Sequence, residues 1–224
     1  MIWLYSGTPG SGKSFHAARD VYYRLRKKRG FKYVIANFAI SANTKYFKFV
    51  DNFELTPRSL MNYARLYHQP GIESQTLVIV DEAQILFNSR NWNSDSNLRM
   101  DWIKFFSQHR KLGFDFILIA QNDRMIDRQI RCLIEYEVSH MKIGNYFRFL
   151  PFTCFMAVQR WYGQKMKVSH EVIVYRQKIA DLYDTYKMFS RNGLDRYKCR
   201  KLAGWHRARA RGTGFPARRL CRTA

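Results

Sequence analysis

The chain has 224 residues, and 39 lysines and arginines against 17 acidic residues give it a formal net charge of +22. This length suits one large domain, or one domain followed by a tail. With 46% hydrophobic and 16% aromatic residues, the composition excludes a wholly disordered chain. No run without a charged side chain is longer than that at positions 33–44, which is far shorter than the roughly 20 apolar residues of a membrane-spanning helix. No basic segment precedes the apolar N-terminus, so we expect no signal peptide.

The positive charge is concentrated towards the C-terminus. Residues 191–224 contain eleven lysines or arginines, one acidic residue and few aliphatic side chains. We therefore expect residues 188–224 to form a flexible basic tail outside the core. Such a tail suits contact with DNA or anionic lipid, and a solvated extension that binds nothing is the alternative. The four cysteines form no C-x-x-C pair, so we expect reduced thiols, a cytoplasmic protein and no zinc.

The first half of the chain alternates apolar strands with amphipathic helices. In chain order we predict a strand at 2–6, a helix ending near Gly30, a strand at 33–36 and a helix at 56–68 that opens on Thr56-Pro57. A strand at 76–80, a loop at 88–97, a helix from 98 to about 113 and a strand at 116–120 follow. Strands that are apolar throughout and separated by helices indicate an α/β fold with a mainly parallel sheet flanked by helices.

The pattern changes after Met125. A short helix to about Leu133 is followed by aromatic-rich or alternating segments at 135–143, 146–150, 152–161 and 167–175. Gly144-Asn145 and Gly163-Gln164 provide turns between them. We predict that these segments are antiparallel strands added to the C-terminal edge of the sheet.

A glycine-rich loop follows the first predicted strand and precedes the first helix. It matches the phosphate-binding pattern G-x-x-x-x-G-K-[ST] at every position, as Gly7-Thr8-Pro9-Gly10-Ser11-Gly12-Lys13-Ser14. Main-chain N–H groups of such a loop converge on an anion at the positive end of a helix. We therefore expect a P-loop NTPase that binds ATP, with Lys13 on the β- and γ-phosphates and Ser14 on Mg²⁺.

Two adjacent carboxylates end the strand at 76–80. Asp81 is placed to hold Mg²⁺ together with Ser14, and Glu82 is placed to activate a water molecule as a general base. An acidic start to the next helix is the simpler alternative. After a complete phosphate-binding loop we favour the metal and catalytic roles.

Two further residues are candidates for the reaction. Gln121 ends the strand at 116–120 and is placed to contact the γ-phosphate or the attacking water, although local backbone contacts would also satisfy it. Arg110 precedes the same strand. We expect it near the catalytic edge of the sheet and consider it as an arginine that a neighbouring subunit supplies to the phosphate. An exposed cation at a helix C-terminus is the alternative for Arg110.

The order of these motifs along the chain resembles that in the N-terminal ATPase domain of the zonula occludens toxin (Zot) family. The resemblance rests on the loop at 7–14, on Val80-Asp81-Glu82, and on His109-Arg110 followed by Gly113 and Asp115. The later Leu182-Tyr183-Asp184 with Tyr186 resembles the end of that domain, which would span residues 1–187. The family includes the assembly ATPase of filamentous phages.

The resemblance implies an ATP-hydrolysing motor for virion assembly and extrusion, acting at the cytoplasmic face of the host inner membrane. It implies phage coat or assembly proteins and inner-membrane proteins as partners, and related motors assemble as homo-oligomeric rings. Family members commonly continue into a transmembrane helix. The alternatives are a small nucleoside or nucleotide kinase and a DNA-binding P-loop protein.

Overall fold

A computed structural model describes residues 1–26, 33–38, 47–52, 54–88, 96–143, 153–164 and 166–182. Several expectations fall outside these residues: the helix end at Gly30, most of the 88–97 loop, the strand at 146–150, the Tyr183-Asp184 and Tyr186 motif, and the tail at 188–224.

In the described part of the chain, eight strands form one sheet. They are β1 (Ile2–Ser6), β2 (Tyr33–Ala36), β3 (Phe47–Phe49), β4 (Thr76–Val80), β5 (Phe114–Ile119), β6 (Tyr136–Lys142), β7 (Cys154–Trp161) and β8 (Lys167–Val174). Their spatial order is β3-β2-β4-β5-β1-β6-β7-β8. Strands β1 to β6 pair in parallel, whereas β7 and β8 add antiparallel pairs. β5 lies between β1 and β4. Because these three strands are parallel, their carboxyl ends lie at the same edge of the sheet.

Helices cover both faces of the parallel part of this sheet. They are α1 (Lys13–Arg26), α2 (Pro57–Tyr67), α3 (Ser96–Gln108) and the short α4 (Arg128–Arg131) and α5 (Gln177–Ala180). β5 divides its side chains between the two cores with the period of two expected of a strand. Phe114 and Phe116 pack with Trp102 of α3, and Ile117 and Ile119 pack with α1. None of the helices among the described residues combines the length and apolarity needed to cross a bilayer.

The predicted fold class is confirmed, and most element types agree with the sequence pattern. At the start of α2, the Ser59 N–H donates to Thr56 Oγ1 at 3.2 Å, which is the helix cap that the sequence indicates. On α3, Trp102, Phe105 and Phe106 are buried against the sheet, whereas Leu98, where we predicted the helix to begin, is exposed.

The direction of β6 is a correction. We predicted an antiparallel strand at 135–143, but Trp3 pairs with Tyr136 and Ser6 with Ser139 in a parallel ladder. After β5 the chain returns to the amino edge of the sheet through α4, so β6 starts beside the beginning of β1. The prediction also missed β3, whose three residues include an exposed lysine and give no periodic signal.

Candidate functional site

The loop at 7–14 and the Asp81-Glu82 pair meet at the carboxyl edge of the parallel sheet. Ser14 Oγ donates a hydrogen bond of 3.1 Å to Asp81 Oδ2 across 67 residues of sequence. Gln121 lies beside the same loop, because the Gly7 N–H donates to the Gln121 carbonyl oxygen at 3.3 Å. The structure thus brings together Lys13, Ser14, Asp81, Glu82 and Gln121.

The loop depends on its glycines for space and for backbone conformation. Gly12 has a φ of +94°, and a Cβ added there would lie 2.6 Å from the Phe155 ring of β7. A Cβ on Gly7 would lie 2.6 Å from the carbonyl oxygen of His140 on β6. The loop therefore rests directly on β6 and β7, and a side chain at either glycine displaces it.

The polar groups of the loop fit a phosphate chain. Lys13 Nζ donates to the carbonyl oxygens of Gly7 and Thr8 at 2.7 and 3.0 Å. Burial lowers the pKa of Lys13, and the negative charges of Glu82 and Asp81 partly oppose that effect. Ser11 Oγ is buried without a hydrogen-bond partner among the described residues. An ammonium group, an unpaired hydroxyl and the start of α1 are the groups that bind phosphate oxygens.

The Ser14 hydroxyl at the end of the loop and the Asp81 carboxylate opposite it fit a divalent cation. Ser14 Oγ and Asp81 Oδ2 are hard oxygen atoms that already touch, and Asp81 is buried. Mg²⁺ in phosphate sites is held by few protein oxygens, with the phosphates and water completing its shell. Ser14 and Asp81 are the residues that would hold it.

Glu82 occupies a backbone conformation that a non-glycine residue rarely adopts. Its φ and ψ are 49° and 50°, in the left-handed helical region, and its N–H donates to Asp81 Oδ1 at 3.0 Å. The Glu82 carboxylate accepts a hydrogen bond from Gln84 Nε2. Unusual backbone geometry of this kind is concentrated at functional sites.

Asn37 also lies at this edge and was not among the site residues predicted from the sequence. Its side chain is buried at the end of β2 and bonds the main chain of Asp81. The signal was present, because Asn37 is a polar residue directly after a buried strand, as Gln121 is. Gln84, which holds Glu82, carries no comparable sequence signal.

Arg110 lies at the opposite edge of the sheet, so its expected position near the loop is wrong. Its guanidinium donates to Glu135 Oε2 at 2.8 Å, and Glu135 is bonded through its main chain to Ile2 at the start of β1. Arg110 precedes β5 and Gln121 follows it, and the six residues of that strand span roughly 20 Å. Arg110 therefore takes no part in the site of its own chain. A role in the site of a neighbouring subunit stays a prediction from the sequence.

Two buried histidines lie under the loop and were also missed. His16 of α1 and His140 of β6 are joined by a hydrogen bond of 2.8 Å between His16 Nδ1 and His140 Nε2. Arg19 can only donate to His16 Nε2, at 3.4 Å, and the Ser6 carbonyl oxygen can only accept from His140 Nδ1, at 3.2 Å. Both rings are therefore neutral, with the proton of each on Nδ1. Burial is the main cause that lowers the pKa of His16 to about 4 and that of His140 to about 3.

The chain matches a known protein family over most of its length. The family model of the zonular occludens toxin (Zot) matches residues 1–190. The chain belongs to the Zot family. The family assignment made from the sequence is thereby confirmed, and the match includes the whole of the described sheet.

Curated relatives come from bacteriophages. The Gene 1 protein of Enterobacteria phage M13 is 33% identical over an alignment of 160 residues, which covers 63% of this chain and 42% of that protein. The Gene 1 protein of Enterobacteria phage I2-2 is 44% identical over 55 residues, which are 25% of this chain and 14% of that protein. The chain thus spans less than half the length of these curated relatives.

Solved structures support the same fold. The N-terminal domain of zonular occludens toxin from Neisseria meningitidis superposes with a TM-score of 0.51 at 20% identity, covering 82% of this chain and 98% of that one. B204, the DNA-packaging ATPase from Sulfolobus Turreted Icosahedral Virus, has a TM-score of 0.51 at 14% identity, covering 78% and 96%. At these identities the similarity establishes the P-loop NTPase fold and nothing further.

The buried histidine pair predicts that the fold is sensitive to acid. Because both folded-state pKa values lie below the ordinary value of 6.5, stability is fully present above pH 6.5 and is lost as pH falls towards 4. We expect the free energy of unfolding to fall by ~1–3 kcal/mol per pH unit between pH 6 and 4. Urea denaturation at several pH values measures this slope.

The variant His140→Gln removes one titrating ring and retains a donor and an acceptor, so its acid slope should be shallower than that of the wild type. His170→Gln is the matched control, because His170 is exposed on β8 and its replacement should leave the slope unchanged. An unaltered slope in His140→Gln would show that the buried pair does not cause the acid sensitivity.

Proposed function

We propose that the protein binds ATP with Mg²⁺ and hydrolyses it to ADP and phosphate. The observation that supports this most strongly is the contact between Ser14 and Asp81 at the end of a complete phosphate-binding loop. A glycine-rich turn without a binding role would not be expected to face the buried Asp81 carboxylate, which follows β4, two strands away from β1 in the sheet. The family membership of the chain supports the same conclusion.

Each residue of the site has one proposed role. The N–H groups of residues 7–14 and the ammonium of Lys13 bind the β- and γ-phosphates, and Ser14 with Asp81 holds the cation. A Mg²⁺ ion held by Ser14 and Asp81 would supply positive charge against the negative charge of the phosphates. Glu82 accepts a proton from the attacking water, and Gln121, exposed beside Gly7, orients that water or the γ-phosphate.

We propose that this ATPase drives filamentous phage assembly and extrusion from the cytoplasmic face of the host inner membrane. The Zot family match and the Gene 1 relatives from Enterobacteria phages support this assignment. Phage coat or assembly proteins and inner-membrane proteins are its proposed partners, and a homo-oligomeric ring is its proposed working form. The net charge of +22 supports additional contact with DNA or anionic lipid.

A nucleoside or nucleotide kinase is the competing function. Glu82, a potential base directly after the metal carboxylate, favours water as the acceptor of the phosphoryl group. Phosphate release that is not altered by added nucleosides is therefore the expected result. Nucleoside-dependent consumption of ATP without phosphate release would instead identify a kinase.

The first prediction of this proposal concerns nucleotide binding. Lys13→Ala removes the ammonium that lies against the loop carbonyls, so ATP affinity measured by calorimetry should fall by at least ~10-fold, as expected for the loss of a charged hydrogen bond of 1.5–3 kcal/mol. Lys104→Ala is the control, because Lys104 is exposed on α3 and its loss changes the net charge equally. Equal ATP affinity of both variants and the wild type would contradict the assigned site.

The second prediction concerns the chemical step. Glu82→Gln retains the size of the side chain and removes its basicity, so ATP should still bind while kcat falls by ~10²–10⁴-fold. Phosphate release under saturating ATP measures this change, and calorimetry verifies binding. Glu73→Gln, at an exposed position before β4, should hydrolyse ATP at the wild-type rate. A Glu82→Gln variant with wild-type turnover would remove Glu82 from the mechanism.

A further inference from the structure

Asn37 joins the end of β2 to the residue that carries the metal carboxylate. It is only 2% exposed, and its side chain makes two hydrogen bonds to the main chain of Asp81. Asn37 Nδ2 donates to the Asp81 carbonyl oxygen at 2.7 Å, and the Asp81 N–H donates to Asn37 Oδ1 at 2.7 Å.

This side chain extends the sheet by one position. β2 and β4 pair in parallel as far as Ala36 and Ile79, and the Asn37 N–H still donates to the Ile79 carbonyl oxygen at 3.3 Å. A side-chain amide has the same donor and acceptor as a peptide group. The Asn37 side chain therefore supplies to Asp81 the two bonds that a continuation of β2 would have supplied.

The orientation of the amide is fixed by its surroundings. The Asp81 N–H can only donate, so the atom of Asn37 that faces it is the oxygen. Asn37 Nδ2 then points at two acceptors, the Asp81 carbonyl oxygen and Asn52 Oδ1, the latter at 2.7 Å. Both amide hydrogens and the oxygen are used, so a rotated amide would break these contacts.

We propose that Asn37 is a positioning residue, which fixes the backbone of Asp81 so that its carboxylate meets Ser14 at the Mg²⁺ position. This proposal rests on the proposed function and extends it to a residue that touches neither the nucleotide loop nor the cation. Without the amide, two buried main-chain groups of Asp81 lose their partners, and the carboxylate is no longer constrained towards Ser14. Partners that orient a metal ligand typically contribute about 10–100-fold to metal affinity.

The structure provides a matched control at the other end of β4, the strand that Asp81 follows. Gln75 directly precedes β4, is also buried, and bonds the main chain of Gln69 and Ile72 through its side-chain amide at 2.8 Å. Removing either amide leaves buried main-chain groups without partners, so both variants should lose stability. Only Asn37 lies at the edge that carries Ser14 and Asp81.

The experiment measures ATP affinity by calorimetry, once with Mg²⁺ and once with a chelator, and compares the ratio of the two affinities between variants. Asn37→Leu should reduce this ratio by about 10-fold or more, with ATP binding in chelator unchanged. Gln75→Leu should retain the wild-type ratio. Asn37→Ser, which retains a small polar side chain, tests the same point with less risk to folding, and its ratio should also fall.

The outcomes distinguish failure of the proposed function, Mg²⁺-dependent ATP binding, from failure of the positioning role of Asn37. A wild-type protein whose ATP binding is absent or independent of Mg²⁺ overturns the proposed function and this proposal with it. If the wild type shows the Mg²⁺ dependence but the folded Asn37 variants show the same ratio, the positioning role alone is overturned. An equal fall in the ratio for Gln75→Leu would also overturn it, because general destabilisation would then be the cause.

Discussion

The hydrogen bond between Ser14 and Asp81 is the contact on which the site depends. It joins residues 67 positions apart, and it forms because the strand order places β5 between β1 and β4. Parallel strands end at one edge, so a loop after β1 and carboxylates after β4 necessarily face each other across the end of β5. The Ser14 hydroxyl, the Asp81 carboxylate and the Lys13 ammonium are thus close together because β1, β4 and β5 are parallel and end at the same edge of the sheet.

The three strands that follow β5 in the chain, β6, β7 and β8, support the phosphate-binding loop. Phe155 of β7 lies where a side chain at Gly12 would be, and the His140 carbonyl oxygen of β6 lies against Gly7. Arg19 of α1 pairs with Glu171 of β8 at 2.7 Å, so the helix that follows the loop is also attached to the added strands. β6 and the two antiparallel strands β7 and β8 therefore help to shape the phosphate-binding loop.

Features encoded locally could be predicted from the sequence. The loop, the carboxylates and the cap at Thr56 each follow from a few neighbouring residues, and the structure places them as expected. The contacts of Asn37 and of His16 with His140 could not be predicted, because they depend on strand register between distant segments. The position of Arg110 was wrong for a related reason: it precedes β5 and therefore lies at the edge where the strand begins.

The central claim is that one site holds both the phosphates and the cation, and a crystal structure with a non-hydrolysable ATP analogue and Mn²⁺ tests it most directly. Mn²⁺ has an anomalous signal and prefers the same oxygen ligands as Mg²⁺. The account predicts anomalous density beside Ser14 Oγ and the Asp81 carboxylate, with the phosphates enclosed by residues 7–14. Phosphates bound elsewhere, or Mn²⁺ away from Ser14 and Asp81, would contradict it.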